Sequence, residues 1–207
     1  ESKTQTIMFT GARTGEGSSF CAVNHAVSLA VQGHRTLLID ADLRSPGLSR
    51  EQLRDSSMGL GDLLSGEASA ADTCVRTPVP DLYLIPSGEL KSNASELLGG
   101  SRFPVLLEQA FRWFDRVVID APAVLGASDA QAIARYADRT RMVIGEGGSK
   151  STELRQTAEM LRGGGAKLVS FVWNEHPTAP GDAPNLVASR TALPESSEAH
   201  ALSIPQS

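Results

Sequence analysis

Residues Thr6–Phe20 read TIMFTGARTGEGSSF, and the fold class turns on them. Thr6–Thr10 predicts a short buried strand, and the glycine-rich turn 11–17 follows it. Residues 18–32 then predict a helix, with Phe20, Val23, Val27, Ala30 and Val31 near helical spacing and Gly33 as its stop. The same order recurs along the chain. Strands are predicted at Thr36–Ile39 (TLLI), Leu82–Ile85 (LYLI), Val117–Ile119 (VVI), Arg141–Ile144 and Lys167–Trp173. Helices are predicted at 49–54, 59–64, 94–98, 103–114, 128–136 and 151–162. Continuous apolar strands alternating with helices predict an α/β fold, an open and mostly parallel sheet with helices on both faces. Ligands on such a sheet bind beyond the carboxyl ends of its strands. The segments just after residues 10, 39, 119 and 173 are therefore where chemistry is expected.

The 207 residues are 41% apolar with 19 glycines, enough for one domain with a real core. Two cysteines, Cys21 and Cys74, exclude a disulfide framework and a cysteine-rich zinc site. His25, His34, His176 and His200 show no ligand spacing. A formal charge of -5 argues against a broad basic face, and no nucleic acid partner is expected. No run of about 18 apolar residues and no basic-then-apolar leader is present, so the expected location is cytoplasmic. The domain is expected over residues 1–175. Residues 176–207, rich in Pro, Ser and Ala, read as a flexible tail.

Gly11–Phe20 (GARTGEGSSF) sits between a strand and a helix. Glycines let main-chain N–H groups turn toward an anion, and the helix N-terminus adds its positive end. A nucleotide P-loop runs Gly, four residues, then Gly-Lys-Ser/Thr. Here Ala12 stands first, Gly17 is the second glycine, Ser19 holds the hydroxyl position, and Ser18 replaces the lysine. Losing that charge-assisted contact costs about 1.5–3 kcal/mol. The main-chain cradle survives, so nucleotide binding is expected to be weakened and catalysis impaired more. Two other readings stand beside this one. The turn has no ligand, or Gly15–Phe20 is an incomplete dinucleotide fingerprint whose third glycine is Phe20.

Carboxylates close two strands. LLIDADLR (37–44) places Asp40 and Asp42 past the second strand, and VVIDAP (117–122) places Asp120 past another. Acids at neighbouring strand ends beside a phosphate loop suit magnesium, with Ser19 as a further oxygen ligand. Asp42 is positioned to orient an incoming hydroxyl or water. The plain alternative is that these acids cap turns, and that Arg44, two residues before Pro46, marks a surface turn.

Together these segments resemble the bacterial tyrosine kinases of exopolysaccharide synthesis, the CpsD/CapB family and the cytoplasmic domains of Wzc-like proteins. GARTGEGSSF resembles the family's Walker A segment, LLIDADLRSP its second Walker motif, and VVIDAP its Walker B segment. The resemblance covers about residues 5–175. It implies ATP or ADP with Mg2+, both held weakly here. The nucleotide would be held by Arg13, Thr14, Gly15, Glu16, Gly17, Ser18, Ser19 and Phe20, with Asn174 reading the base. It implies metal binding by Ser19, Asp40 and Asp120, and phosphoryl transfer assisted by Asp42 and Asp40. Arg13 would partly replace the absent lysine. The implied partner is an inner-membrane polysaccharide chain-length or co-polymerase protein, which would hold the chain at the inner face of the membrane. Self-association is a further expectation. The family's tyrosine cluster is absent, since the two tyrosines, Tyr83 and Tyr136, fall in a predicted strand and a predicted helix. Impaired kinase activity follows as the expectation. A non-enzymatic scaffold and a ParA-like ATPase are the alternatives.

Overall fold

The computed structural model describes residues 5–45, 58–88 and 93–175. Within them lie seven strands: β1 Gln5–Gly11, β2 Thr36–Asp40, β3 Val75–Arg76, β4 Leu82–Ile85, β5 Arg116–Asp120, β6 Arg139–Gly145 and β7 Val169–Asn174. Helix α1 spans Ser18–Val31. It is followed by α2 Leu60–Ser65, α3 Ala70–Thr73, α4 Ala94–Gly99, α5 Arg102–Ala110, α6 Asp129–Ala134 and α7 Ser151–Gly163. The strands form one sheet in the order β3-β4-β2-β5-β1-β6-β7. Every neighbouring pair is parallel except β3 with β4. This is the expected open α/β sheet of P-loop type.

The strands are apolar at nearly every position because helices cover both faces. Alternate side chains go to opposite layers. Ile7, Phe9, Leu38, Val118 and Val143 pack against Ala22, Val23 and Ala26 of α1. Met8, Leu37, Ile39, Val117 and Ile119 pack on the other side against Leu98, Phe103, Leu106 and Ile133. Small residues on the buried stripe of α1 bring that helix close to the sheet, which fixes its N-terminus above β1.

The structure departs from the sequence expectation in three places. The sheet holds a seventh strand, β3, which pairs antiparallel with β4 through Val75↔Leu84 and Arg76↔Tyr83. Two residues carry no periodicity of their own, and the pairing with β4 is what makes them a strand. Val31 is 75% exposed rather than core, because the buried stripe of α1 runs through Ala22, Val23, Ala26 and Ala30 and Val31 lies about 100° further round. Helix α5 stops at Ala110, and the following turn tucks Phe114 into the core. The helix expected at 49–54 and the tail at 176–207 lie outside the described residues.

Strand β7 borders the sheet. Phe171 and Trp173 share the face of Met142 and Ile144 through the β6–β7 register, yet are 55% and 60% exposed. In urea unfolding, Leu38→Ala is expected to cost about 2–5 kcal/mol, because Leu38 is fully buried between α1 and the sheet. Val31→Ala is expected to stay within about 0.5 kcal/mol of the unmodified chain.

Candidate functional site

The β1–α1 loop is shaped by two glycines in the left-handed region, Gly15 (φ 92°) and Gly17 (φ 88°). Gly17 caps α1, so the N–H groups of the first helical turn have no intrahelical acceptor. They face the carboxyl rim of the sheet as a ready anion cradle. A Cβ on Gly17 would come within 2.2 Å of Asn174 Nδ2. That amide also donates to the Glu16 carbonyl oxygen at 3.2 Å. Asn174 ends β7, so the far strand and the loop meet where the sequence places the base reader.

Glu16 holds the loop's shape. Its carboxylate is 3% exposed and accepts three main-chain N–H bonds. Oε2 takes those of Ala12 (2.7 Å) and Arg13 (3.0 Å), and Oε1 takes that of Ser149 (3.1 Å). A buried carboxylate demands donors, and the nearest are the loop itself and the turn after β6. The side chain of Glu16 therefore braces the loop from within, leaving its N–H toward the rim.

Arg13 does not stand in for the lysine in this structure. Its guanidinium is turned outward onto Glu153 of α7, with Nη2 at 2.5 Å from Oε1 and Nε at 3.3 Å from Oε2. The hydrogen bond from Arg13, helped by the Lys150 N–H, pulls the Glu153 carboxyl down to about 2. Thr14 is exposed at the loop tip. Phe20 is half-buried in α1, its carbonyl accepting from Asn24 Nδ2 at 2.9 Å. Ser18 opens α1, and its hydroxyl makes no hydrogen bond among the described residues. A cavity of about 320 Å³ lies beside the loop's outer arm. It is bounded by Arg13–Glu16, Gly145–Gly148, Lys150 and Glu153, and does not include the acids.

Those acids meet on the same rim. Asp40 and Asp120 are directly paired across β2 and β5, and both are buried. Asp40 Oδ1 accepts the Asp42 N–H at 3.2 Å. Both carboxylate oxygens of Asp120 are enclosed without a hydrogen bond of ordinary geometry. Burial pushes the Asp120 carboxyl well above the usual range, and the adjacent Asp40 charge adds to that; the Ser19 hydroxyl opposes it. Two enclosed carboxylates beside a hydroxyl form a set of hard oxygen donors. Such a set fits magnesium, which takes one or two carboxylates and leaves its other positions to phosphate and water. Among the described residues no group of three His, Cys, Asp or Glu is placed to hold a metal ion.

Asp42 lies at the rim, half-buried. Desolvation raises its carboxyl, and the N–H groups of Ser45 (2.9 Å) and Arg44 (3.3 Å), both donating to Oδ1, counter the shift. Arg44 lies in an exposed bend, and its side chain is engaged there. It grips Asp129 at the start of α6, with Nε at 2.6 Å and Nη2 at 3.2 Å from the two carboxylate oxygens. This contact, like Glu16–Ser149 and Arg13–Glu153, joins residues far apart in the chain. No spacing rule finds any of the three. The structure thus brings Gly15–Ser19, Asp40, Asp120 and Asn174 together, with Asp42 at the edge and the Arg13 side chain directed away.

A family model described as an AAA domain matches residues 4–144. The chain is 33% identical over 170 residues to tyrosine-protein kinase CpsD of Streptococcus agalactiae serotype III, covering 82% of this chain and 73% of that protein. It is 35% identical over 169 residues to tyrosine-protein kinase ptk of Acinetobacter johnsonii, of whose length it spans 23%. Among solved structures it is similar to the BceF tyrosine kinase domain, with TM-score 0.73 and 39% identity over 81% of this chain and 68% of that one.

The acid pair sets a pH dependence. Asp120 holds its proton to higher pH in the folded chain than in the unfolded one. The folded state therefore binds more protons, and this contribution to stability falls as pH rises above about 4. In melts with EDTA, Asp120→Asn is expected to flatten that fall and to raise the melting temperature at pH 8. An unchanged pH profile would show that Asp120 carries no such strain.

Proposed function

The chain belongs to the bacterial tyrosine-protein kinase family, and from that premise we propose that it is a nucleotide-binding regulator of exopolysaccharide synthesis and export with impaired kinase activity. The observation that carries this reading is the meeting of the α1 N-terminus, Ser19, Asp40 and Asp120 on one rim while Ser18 occupies the lysine position. Nucleotide phosphates would rest on the main-chain N–H groups of Gly15–Ser19, with the adenine toward Asn174. Asp40, Asp120 and the Ser19 hydroxyl would hold magnesium. Bound there, the ion supplies charge neutralisation at the phosphate oxygens. Asp42 would orient the acceptor hydroxyl from the edge of the pocket.

What is reduced is the contact made to the terminal phosphates. A missing charge-assisted hydrogen bond weakens binding by roughly 10–150-fold. A donor acting chiefly in the transition state is worth about 100–1000-fold in rate. Arg13 supplies no replacement while Glu153 holds it. The chain's own tyrosines are poor acceptors. Tyr83 is buried in β4, edge-on to Phe114, and Tyr136 is half-buried against Phe103. An acceptor tyrosine would come from outside these 207 residues. Among the described residues no helix is long and apolar enough to cross a membrane. The proposed place of action is the cytoplasmic face of the inner membrane, through an inner-membrane chain-length or co-polymerase partner.

Calorimetry of the purified chain with MgADP is expected to show weak binding, and Ser18→Lys is expected to tighten it by roughly 10–150-fold. Labelled ATP is expected to give little phosphotyrosine with the unmodified chain and more with Ser18→Lys. No heat at millimolar MgADP from either form would favour a scaffold whose P-loop fold serves only as a partner surface. Robust phosphorylation by the unmodified chain would overturn the impaired-kinase reading.

A further inference from the structure

Asp129 is a fully buried carboxylate 85 residues downstream of Arg44. An acid with no exposure is tolerated only when its charge is matched and its oxygens are occupied. Both conditions are met by a fork. Arg44 Nε and Nη2 take one oxygen each, at 2.6 and 3.2 Å. Ser95 of α4 donates its hydroxyl to the same carboxylate. Arg44 Nη2 also donates to Ser95 Oγ at 3.3 Å, and Ser128 Oγ lies 3.1 Å from that hydroxyl. Three elements, α4, α6 and the loop after β2, are knotted at one point.

The other end of Arg44 leads into the site. Its main-chain N–H donates to Asp42 Oδ1, as does that of Ser45. The Asp42 N–H in turn donates to Asp40 Oδ1 at 3.2 Å. A continuous path therefore runs from the helix layer to the metal-facing acid: Asp129, Arg44, Asp42, Asp40. Residues 41–45 leave β2 as a loop, and the guanidinium grip is a long-range side-chain anchor for that loop. Planar, two-point pairing fixes angle as well as distance, which a lysine in its place would not do.

We propose that Asp129 is a positioning residue that, through Arg44, sets the loop carrying Asp42 and orients the Asp40 carboxylate toward the cation. The proposal rests on the magnesium–nucleotide reading given above. Groups hydrogen-bonded directly to metal ligands typically carry 10–100-fold in metal affinity; Asp129 acts on Asp40 through two intermediates, Arg44 and Asp42, so an effect at the lower end is expected.

The test separates positioning from simple stability. ADP affinity is measured by calorimetry with magnesium and, separately, with EDTA, on the unmodified chain, Asp129→Asn, Arg44→Lys and Ser95→Ala, each with its melting temperature. Asp129→Asn and Arg44→Lys are expected to reduce the magnesium-dependent gain in affinity about ten-fold while metal-free ADP affinity stays within two-fold. Ser95→Ala, which leaves the arginine fork in place, is expected to keep most of the gain. Arg44 is partly exposed, so Arg44→Lys provides a folded variant if Asp129→Asn does not fold. Lower melting temperatures with an unchanged magnesium gain would overturn the proposal and leave Asp129 as a fold anchor only. An unmodified chain that binds ADP equally with and without magnesium would overturn the metal reading and this role with it. No ADP binding in either buffer would overturn the nucleotide reading itself.

Discussion

Two carboxylates enclosed side by side are the constraint around which this molecule is arranged. Parallel pairing of β2 with β5 sets Asp40 opposite Asp120, so their proximity is built into the register and cannot be relaxed by a rotamer change alone. A one-residue slip would send both strands' apolar residues to the wrong layers, so the core itself enforces the unfavourable pair. Such an arrangement carries a standing electrostatic cost. The loop above it and Asn174 beside it belong to the same rim because strands β1, β2, β5 and β7 all run in the same direction.

The loop keeps its form by internal means. Glu16 satisfies its own carboxylate with the amides of Ala12, Arg13 and Ser149, tying the β1–α1 turn to the turn after β6. Arg13 is drawn to Glu153, which leans α7 on the loop from outside. Both cross-ties use residues that in sequence look directed at a ligand. The loop's shape is thus held by the protein's own groups, and the Arg13 guanidinium is engaged with Glu153.

Much of this was legible in the chain. Strands that are apolar throughout, separated by helical stretches, are read correctly because burial on both faces leaves no alternation to mistake. Asp40 and Asp120 declare themselves as single charges closing runs of Leu, Val and Ile. The glycine turn before α1 is equally plain. Strand β3 was hidden because two residues have no pattern, and α3 because its start signal, a capping box between Ser69 and Asp72, serves a single turn. The direction of Arg13, the inward fold of Glu16 and the Arg44–Asp129 fork were hidden for a different reason. Each depends on a partner that only the tertiary structure brings near, and a charged residue in a glycine-rich loop looks the same whether it faces a ligand or the protein.

Gly17 and Ser18 are neighbours that answer to different masters. The glycine is closed to any side chain twice over, by its left-handed backbone and by the amide of Asn174 pressed against it. The serine beside it opens α1 in ordinary helical backbone, which any side chain can adopt. Two adjacent positions therefore admit different substitutions: the first is fixed by its backbone and by its neighbour across the rim, the second by neither.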